Sequence, residues 1–523
     1  MSGKNKIDSI TRRDLLRTTA GGVAASAFSG LASPNTAAAK SWFSKKKKPN
    51  VIVLFDDQLR ADVCGVYDGG KNITTPNIGK LAGQGMTFTN AVSTCPLCTP
   101  FRGMLQTGRY PTHSGLICNF VDANPDQPTI AKTFAEAGYH TGFIGKWHLS
   151  AGRLTIAPKS AKDWELVKQK RAEYQKTNPE TEFTPPGPLR LGYQHWEAFN
   201  FHTAFTNYWY YKDKPEKIFS EKYETDTQID QAISYIKQHK DSDKPFFLMV
   251  APHPPHPPFG DKHCPEGYVE KVQKDLHWSP NVTDGHKQGK TSQDARFYYA
   301  MAKNVDDNLG RLMQYLDDSG LAEDTILVFT SDHGEMLGSH DRRNKMVPYA
   351  EAVNIPMIIR WPKKMPVGER SYELHTPMDH FPTLCGLADI DIPDTVDGLD
   401  MSRAARGKKM KVNRDAVLMM NYVSNWDFFD TDTDWPEWRG IRTRRYTYVK
   451  WLTGKEELYD NVDDPYQMSN LAEGNKDPLA MQKVRARLKD LLVDAHDQFL
   501  PGTKYGDWYD DRRKLIKTGL GPV

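Results

Sequence analysis

A chain of 523 residues is longer than a single core keeps growing, so a large domain with a smaller companion is expected. Its 69 basic and 66 acidic side chains nearly balance, and 38% hydrophobic residues with 12 Trp, 23 Tyr and 22 Phe supply ample core, which excludes a disordered polyelectrolyte. Six cysteines are too few to be the framework of so long a chain.

Residues 1–39 read as an export signal: a basic start, a mildly apolar stretch, and small residues gathering at Ala37-Ala38-Ala39. Arg12 and Arg13 stand directly before the apolar stretch, the twin-arginine arrangement that a translocase reads as an address. Its removal takes five basic and two acidic groups away from the totals, leaving 64 of each. A nucleic-acid partner would call for a basic surplus, so none is expected. Residues 40–49, with their lysine run, read as a solvated linker. No later run reaches the ~20 apolar residues that span a bilayer, so no membrane anchor is expected. The mature protein is expected in the periplasm or outside the cell, delivered by the twin-arginine translocase.

The elements then follow in chain order. An apolar run over 51–55 ends in Asp56-Asp57, and Thr75-Pro76 starts a helix that runs towards Gly85. The run over 141–144 leads into Gly145-Lys146-Trp147-His148, and 246–250 leads into a proline-rich stretch with His253 and His256. Residues 293–316 carry apolar side chains at helical spacing, and the run over 326–329 passes through Thr330-Ser331 into Asp332-His333. Continuous apolar runs with helical segments between them read as buried parallel strands. The charged stretches 157–187 and 262–292 read as surface insertions. Beyond about residue 400 the pattern changes: 439–452 alternates as a strand does, 456–459 forms another, and a helix covers 478–496. The expected fold class is α/β, a large mostly parallel sheet sandwiched by helices over 50–400, with a smaller antiparallel sheet plus helix over 401–523.

In such sheets ligands sit beyond the carboxyl ends of the strands, where Asp56, Asp57, Asp332, Lys146 and the histidines would meet. Three carboxylates on one edge repel one another unless a cation joins them, while lysines and histidines nearby suit an anionic substrate. Cys95 and Cys98 are spaced as a redox dithiol or as half a zinc site, but no second such pair exists to complete the zinc ligands. The abundant rings and polar groups offer His113, Trp147, His202, Trp209 and Tyr210 as candidates for lining a sugar-binding pocket.

Cys98-Thr99-Pro100-Phe101-Arg102, followed by Thr107-Gly108-Arg109, resembles the C-x-P-x-R signature of the type I sulfatases in the alkaline phosphatase superfamily. The resemblance continues in family order through FDDQ (55–58), GKWH (145–148), HPPHPP (253–258), SDHGE (331–335) and ELYDNVDDP (457–465). It implies an alkaline-phosphatase-like fold and an enzyme that releases sulfate from a sulfated carbohydrate. Cys98 would be oxidised by a formylglycine-generating enzyme to formylglycine, whose hydrate attacks sulfur. Asp56, Asp57, Asp332, His333 and the modified Cys98 would hold a divalent cation, calcium before magnesium, although imidazole is an unusual calcium ligand. Arg102 would steady residue 98 and the cation, and Lys146 and Lys345 would neutralise sulfate oxygens. His256 or Lys345 would protonate the departing alcohol, and His148 would drive the release of sulfate. Cys95 becomes incidental, and His253 a structural neighbour. The alternatives are a formylglycine-dependent phosphonate or phosphate ester hydrolase, and a carbohydrate-binding relic whose cysteine is never oxidised.

Overall fold

Strands form where branched and aromatic residues run without polar interruption, and their burial on both faces reflects it. The computed structural model describes residues 48–67, 69–152, 182–423, 437–510 and 513–523. The stretch read as an export signal, most of that read as a linker and most of the insertion read at 157–187 lie outside the described residues. The strands are β1 (Asn50–Asp56), β2 (Met86–Ala91), β3 (His140–Lys146), β4 (His195–Phe199), the short pair β5 (Trp209–Tyr210) and β6 (Ile218–Phe219), β7 (Phe246–Ala251), β8 (Thr325–Ser331), β9 (Met357–Arg360) and β10 (Glu369–His375). Eight of them form one sheet in the order β10-β2-β9-β8-β1-β7-β3-β4. Among these β9 alone runs against its neighbours.

Every residue of β1, β7 and β8 is buried, which explains the unbroken apolar runs. Val51, Val53 and Phe55 point into one core while Ile52 and Leu54 point into another, as strand pleating demands. The first core is closed by helices Cys98–Thr107, Ile130–Glu136 and His380–Ala388. The second is closed by Pro76–Gly83, Glu224–His239 and the 30-residue helix Gly289–Asp318. Helices therefore cover both faces of a mostly parallel sheet, as expected. The 262–292 stretch is mainly loop with short 3-10 turns.

A second sheet of β11 (Ala416–Asn421), β12 (Trp438–Thr443), β13 (Tyr446–Trp451) and β14 (Glu456–Asp460) is wholly antiparallel. The alternating run 439–452 is thus two strands and not one. The Thr443 hydroxyl accepts the Arg445 and Tyr446 amides at 3.2 and 2.7 Å, turning the chain where alternation alone shows no break. Helix Pro478–Asp494 packs on this sheet. Leu418, Ile441, Leu458 and Leu488 share one continuous core with Phe101 and Met104 of the signature helix. The smaller sheet is therefore a buttress. The Met420 amide donates to Thr94 at 2.8 Å and the Trp438 indole to Met346 at 2.9 Å, each near a residue of the signature region or next to Lys345.

Arg439 in β12 is fully buried and paired with Asp497, and it also donates to Tyr505 at 3.0 Å and to the Asn421 carbonyl at 2.8 Å. Removing one member of a buried ion pair strands the other charge in low dielectric. Asp497→Ala is expected to lower stability by about 3–5 kcal/mol in urea unfolding. A loss comparable to a surface substitution would contradict this role of the pair.

Candidate active site

Register brings the chemistry together. Asp56 lies opposite Ser331 where β1 and β8 end, so Asp57 and Asp332 leave the sheet side by side. Gly145 lies opposite Ala251 on β3 and β7, delivering Lys146 and His148 towards His253 and His256. Gly145 takes φ +103°, and a Cβ there would stand 2.3 Å from the Ala251 carbonyl oxygen, so only glycine lets the strands stay paired at this point. Cys98 opens the buried helix Cys98–Thr107, whose N-terminal amides favour negative charge beside it. Gly108, at φ +65°, closes that helix by donating to Met104 at 2.8 Å, which is the physical content of the Thr-Gly-Arg that trails the signature.

The ligand atoms of Asp57, Cys98, Asp332 and His333 all lie within 4.8 Å of one another, and all four residues are buried. His333 Nδ1 lies 3.1 Å from the Gly334 carbonyl, to which it donates, so its Nε2 lone pair faces the group, 3.4 Å from Cys98 Sγ and 3.5 Å from Asp332 Oδ1. Asp56 is not within that four-residue group. Its carboxylate is nonetheless fully buried, and neither oxygen accepts a hydrogen bond from any described residue. Burial, then Asp332 and Asp57, raise the Asp56 carboxyl well above the usual range. Burial and Asp57 push Asp332 up to about 7. Asp57 is also buried, but Lys146, His256 and Arg102 hold it well below the ordinary value. Its Oδ2 takes Lys146 Nζ at 2.5 Å and Arg102 at 3.0 Å, and Arg102 also lies 3.7 Å from Asp332. Unpaired buried carboxylates beside a correctly turned imidazole are the donor set a divalent cation would satisfy. Burial and Asp57 push the Cys98 thiol up to about 11 against the pull of Lys146 and Lys345, so unmodified it is a weak nucleophile near neutrality.

The opposite wall is built of imidazoles. His148, buried at φ +51°, has both ring nitrogens without a hydrogen-bond partner among the described residues, and Phe120 and Phe201 hold its ring at 4.9 and 4.7 Å. Its carbonyl accepts the Thr99 hydroxyl at 2.7 Å, tying it to the residue after Cys98. Burial together with Lys146 and Arg102 holds His148 well below its usual pKa, leaving it a neutral proton acceptor. His256 donates from Nδ1 to the Pro257 carbonyl at 2.6 Å and accepts at Nε2 from Lys345, 3.0 Å away. Burial and Lys345 keep this imidazole neutral as well.

Known proteins resemble this chain in sequence and fold. The family model described as Sulfatase matches residues 49–390, and that of the N-sulphoglucosamine sulphohydrolase C-terminal region matches 338–498. The chain is a type I sulfatase of the alkaline phosphatase superfamily. It is 32% identical to the ulvan-active sulfatase of Formosa agariphila over 88% of this chain and 84% of that protein. To an endo-4-O-sulfatase of Bacteroides thetaiotaomicron it is 30% identical, over 86% and 92% of the two chains. A solved structure from Bacteroides thetaiotaomicron, described with the metabolism of multiple glycosaminoglycans, superposes with a TM-score of 0.73 at 26% identity, covering 86% of this chain and 97% of the other.

In this sulfatase the residues suggested for the sugar pocket fare differently from the catalytic set. Trp147 is core: just past the end of β3 it packs against Phe143, Tyr193 and Trp196 at 4.9, 6.0 and 5.1 Å. His113 is also structural, its nitrogens 2.7 Å from Asp397 and 3.0 Å from His496 at the end of the C-terminal helix. His202 spends Nε2 on the Trp209 carbonyl at 2.8 Å and stacks on Phe199 at 3.8 Å, while the Trp209 ring is covered by His202 at 3.9 Å and Lys217 at 4.1 Å. Cys95 is buried and forms no disulfide.

Phe201 was not foreseen from sequence. It is partly exposed and sits 4.7, 5.4 and 6.3 Å from the rings of His148, His253 and His256, with Lys146 Nζ 4.9 Å from its face. A Phe-Asn-Phe stretch carries no signal of such a role. His253 belongs with the site more closely than the motif suggests. Both its ring nitrogens lack a hydrogen-bond partner among the described residues, while its amide donates to buried Glu224 at 3.0 Å.

Because Asp56 and Asp332 are held above the usual carboxylate range, a cation entering below about pH 7 must displace their protons. Calcium is therefore expected to bind chelator-stripped protein at least about tenfold more tightly near pH 8 than near pH 5.5, measured by isothermal titration calorimetry. Equal affinities would mean that both carboxylates are already ionised in the empty site.

Proposed function

We propose that this sulfatase releases inorganic sulfate from a sulfated carbohydrate, using Cys98 converted to formylglycine and a divalent cation, calcium ahead of magnesium. The observation that carries the reading is the buried cluster of Asp57, Cys98, Asp332 and His333 beside the unpaired Asp56 carboxylate. A relative named for ulvan and a similar structure described with glycosaminoglycan metabolism favour a sulfated carbohydrate as substrate. Asp56, Asp57, Asp332, His333 and the modified residue 98 would hold the cation, which supplies positive charge to polarise the nucleophile and the sulfate oxygens. The hydrate of formylglycine offers two hydroxyls on one carbon.

With residue 98 hydrated, a hydroxyl there, its proton released to water, would supply the nucleophile for sulfur; Arg102 would steady the residue and Lys146 and Lys345 would face the sulfate oxygens. On the leaving-group side His256 is neutral, with Nδ1–H fixed on Pro257, so the transferable proton lies in its hydrogen bond with Lys345. The departing alcohol takes its proton from that pair. His148, neutral and with both ring nitrogens unpartnered among the described residues, then removes the proton of the second hydroxyl. Loss of that proton would let the carbon–oxygen bond to sulfate break, releasing sulfate and restoring the aldehyde. A plain serine-like nucleophile would instead leave a slowly hydrolysed sulfate ester.

Peptide mass spectrometry of active enzyme is expected to find an aldehyde or its hydrate at residue 98. His148→Ala is expected to lower turnover by about 10²–10⁴-fold and to accumulate sulfated residue 98. Full activity with an unmodified thiol, or a His148→Ala enzyme with normal turnover, would defeat the mechanism. Sulfate release across a panel of sulfated oligosaccharides identifies the substrate.

We further propose export by the twin-arginine route to the periplasm or beyond, after a formylglycine-generating enzyme has acted on the unfolded chain. Replacing Arg12 and Arg13 by lysine is expected to strand active, already oxidised protein in the cytoplasm. Stranded protein with a free thiol at residue 98 would refute that order of events.

A further inference from the structure

Lys345 reaches the site from a loop and not from a strand end. Its neighbours Asn344 and Met346 both adopt left-handed backbone, at φ 66° and 73°, so nothing in regular structure sets the direction of its side chain. What the ammonium touches must set it. Lys345 Nζ donates to Gln58 Oε1 at 2.5 Å and lies 3.0 Å from His256 Nε2.

Gln58 is itself tightly held. It is fully buried at φ 72°, its amide N–H donates to Asp332 Oδ1 at 2.9 Å, and its carbonyl accepts the Tyr298 hydroxyl at 2.8 Å. A non-glycine residue in this conformation persists only where surrounding contacts over-determine it. The side-chain nitrogen of Gln58 donates to Glu335 Oε2, and Glu335 Oε1 accepts the Leu337 and Asn344 amides at 3.2 and 2.6 Å. With a carboxylate on one side and an ammonium on the other, the amide can face only one way: NH₂ to Glu335, oxygen to Lys345. Glu335 thereby fixes both the loop that carries Lys345 and the acceptor that receives it.

We infer that Gln58 is a positioning residue for the leaving-group side of the site: its amide, oriented by Glu335, holds the Lys345 ammonium against His256. The inference rests on the sulfatase reading above, which gives Lys345 and His256 the departing oxygen. Gln58 touches neither substrate nor nucleophile in this role. It acts by keeping a proton donor in place, and such a donor matters most when the departing oxygen is most basic.

The test uses matured, full-length enzyme with wild type, Gln58→Met, and the swapped double variant Gln58→Glu with Glu335→Gln. Methionine keeps the volume and removes both hydrogen bonds. The swap restores them in reverse, since a carboxylate at 58 accepts from Lys345 and from the new amide at 335. Rates are measured on 4-nitrophenyl sulfate, whose phenolate leaves without help, and on the sulfated sugar that wild type hydrolyses fastest, alongside metal content and thermal melting. Gln58→Met is expected to lose about 100-fold in kcat on the sugar with KM changed by under about threefold, and at least tenfold less on the aryl ester. The double variant is expected to regain at least tenfold of the sugar rate. It is read on whichever ester turns over, and it stands alone if Gln58→Met fails to fold. Equal losses on the two esters, an unimpaired Gln58→Met, or a swap no better than the single variant would overturn the inference while leaving the sulfatase reading intact. A wild type that releases sulfate from neither ester defeats that reading and the inference together.

Discussion

Three aspartates are buried at one edge of one sheet, and most of the site answers to that. Carboxylates removed from water must be paired, hydrogen-bonded or protonated. Asp57 is paired, with Lys146 and Arg102 on a single oxygen. Asp332 is hydrogen-bonded by the amides of Gln58 and His333 at 2.9 and 2.8 Å. Asp56 is neither, and it is the point at which protein atoms alone leave the electrostatics unfinished. Lys146 and Arg102 lie against Asp57, and neither forms a hydrogen bond with Asp56. A cation would complete the set and leave positive charge to spare for an anionic ester.

The histidines are the counterpart of the same constraint. His148, His253, His256 and His333 are all kept neutral, chiefly by burial and next by nearby lysines. Neutral imidazoles accept protons, and with them a positively charged wall acquires bases without losing its charge. Three of the rings are aimed by a backbone or aromatic contact: His333 by Gly334, His256 by Pro257, and His148 by Phe120 and Phe201. Several residues that do this work, Gln58, Phe120, His148, Asn344 and Met346, occupy left-handed backbone. Such strain, on the order of 1–3 kcal/mol each, is tolerated because the surrounding structure leaves them no alternative. The smaller sheet belongs to that surrounding structure, since Trp438 and Met420 anchor directly on Met346 and Thr94.

The sequence by itself determined the sheet and the residues at its edge. Unbroken apolar runs over β1, β7 and β8 can be satisfied only by burial on both faces, and each run ends in the residue types that the edge displays. The signature Cys98–Arg102 and its companion blocks were legible because their spacing is local. Local spacing says nothing of which way a ring turns. Trp147 between Lys146 and His148 looks like a pocket residue in sequence, but the rings of Phe143 and Trp196 take it into the core. His113 likewise looks free until Asp397 and His496 arrive from elsewhere to claim it, and His202 until the chain turns the Trp209 carbonyl back onto it. Only the tertiary structure decided that Asp56 stands unpaired, that Phe201 sits over the histidines, and that Gln58 lies between Glu335 and Lys345. These depend on contacts between residues up to 287 positions apart, whose side-chain directions are set by packing and by the competition of charges for a few buried partners.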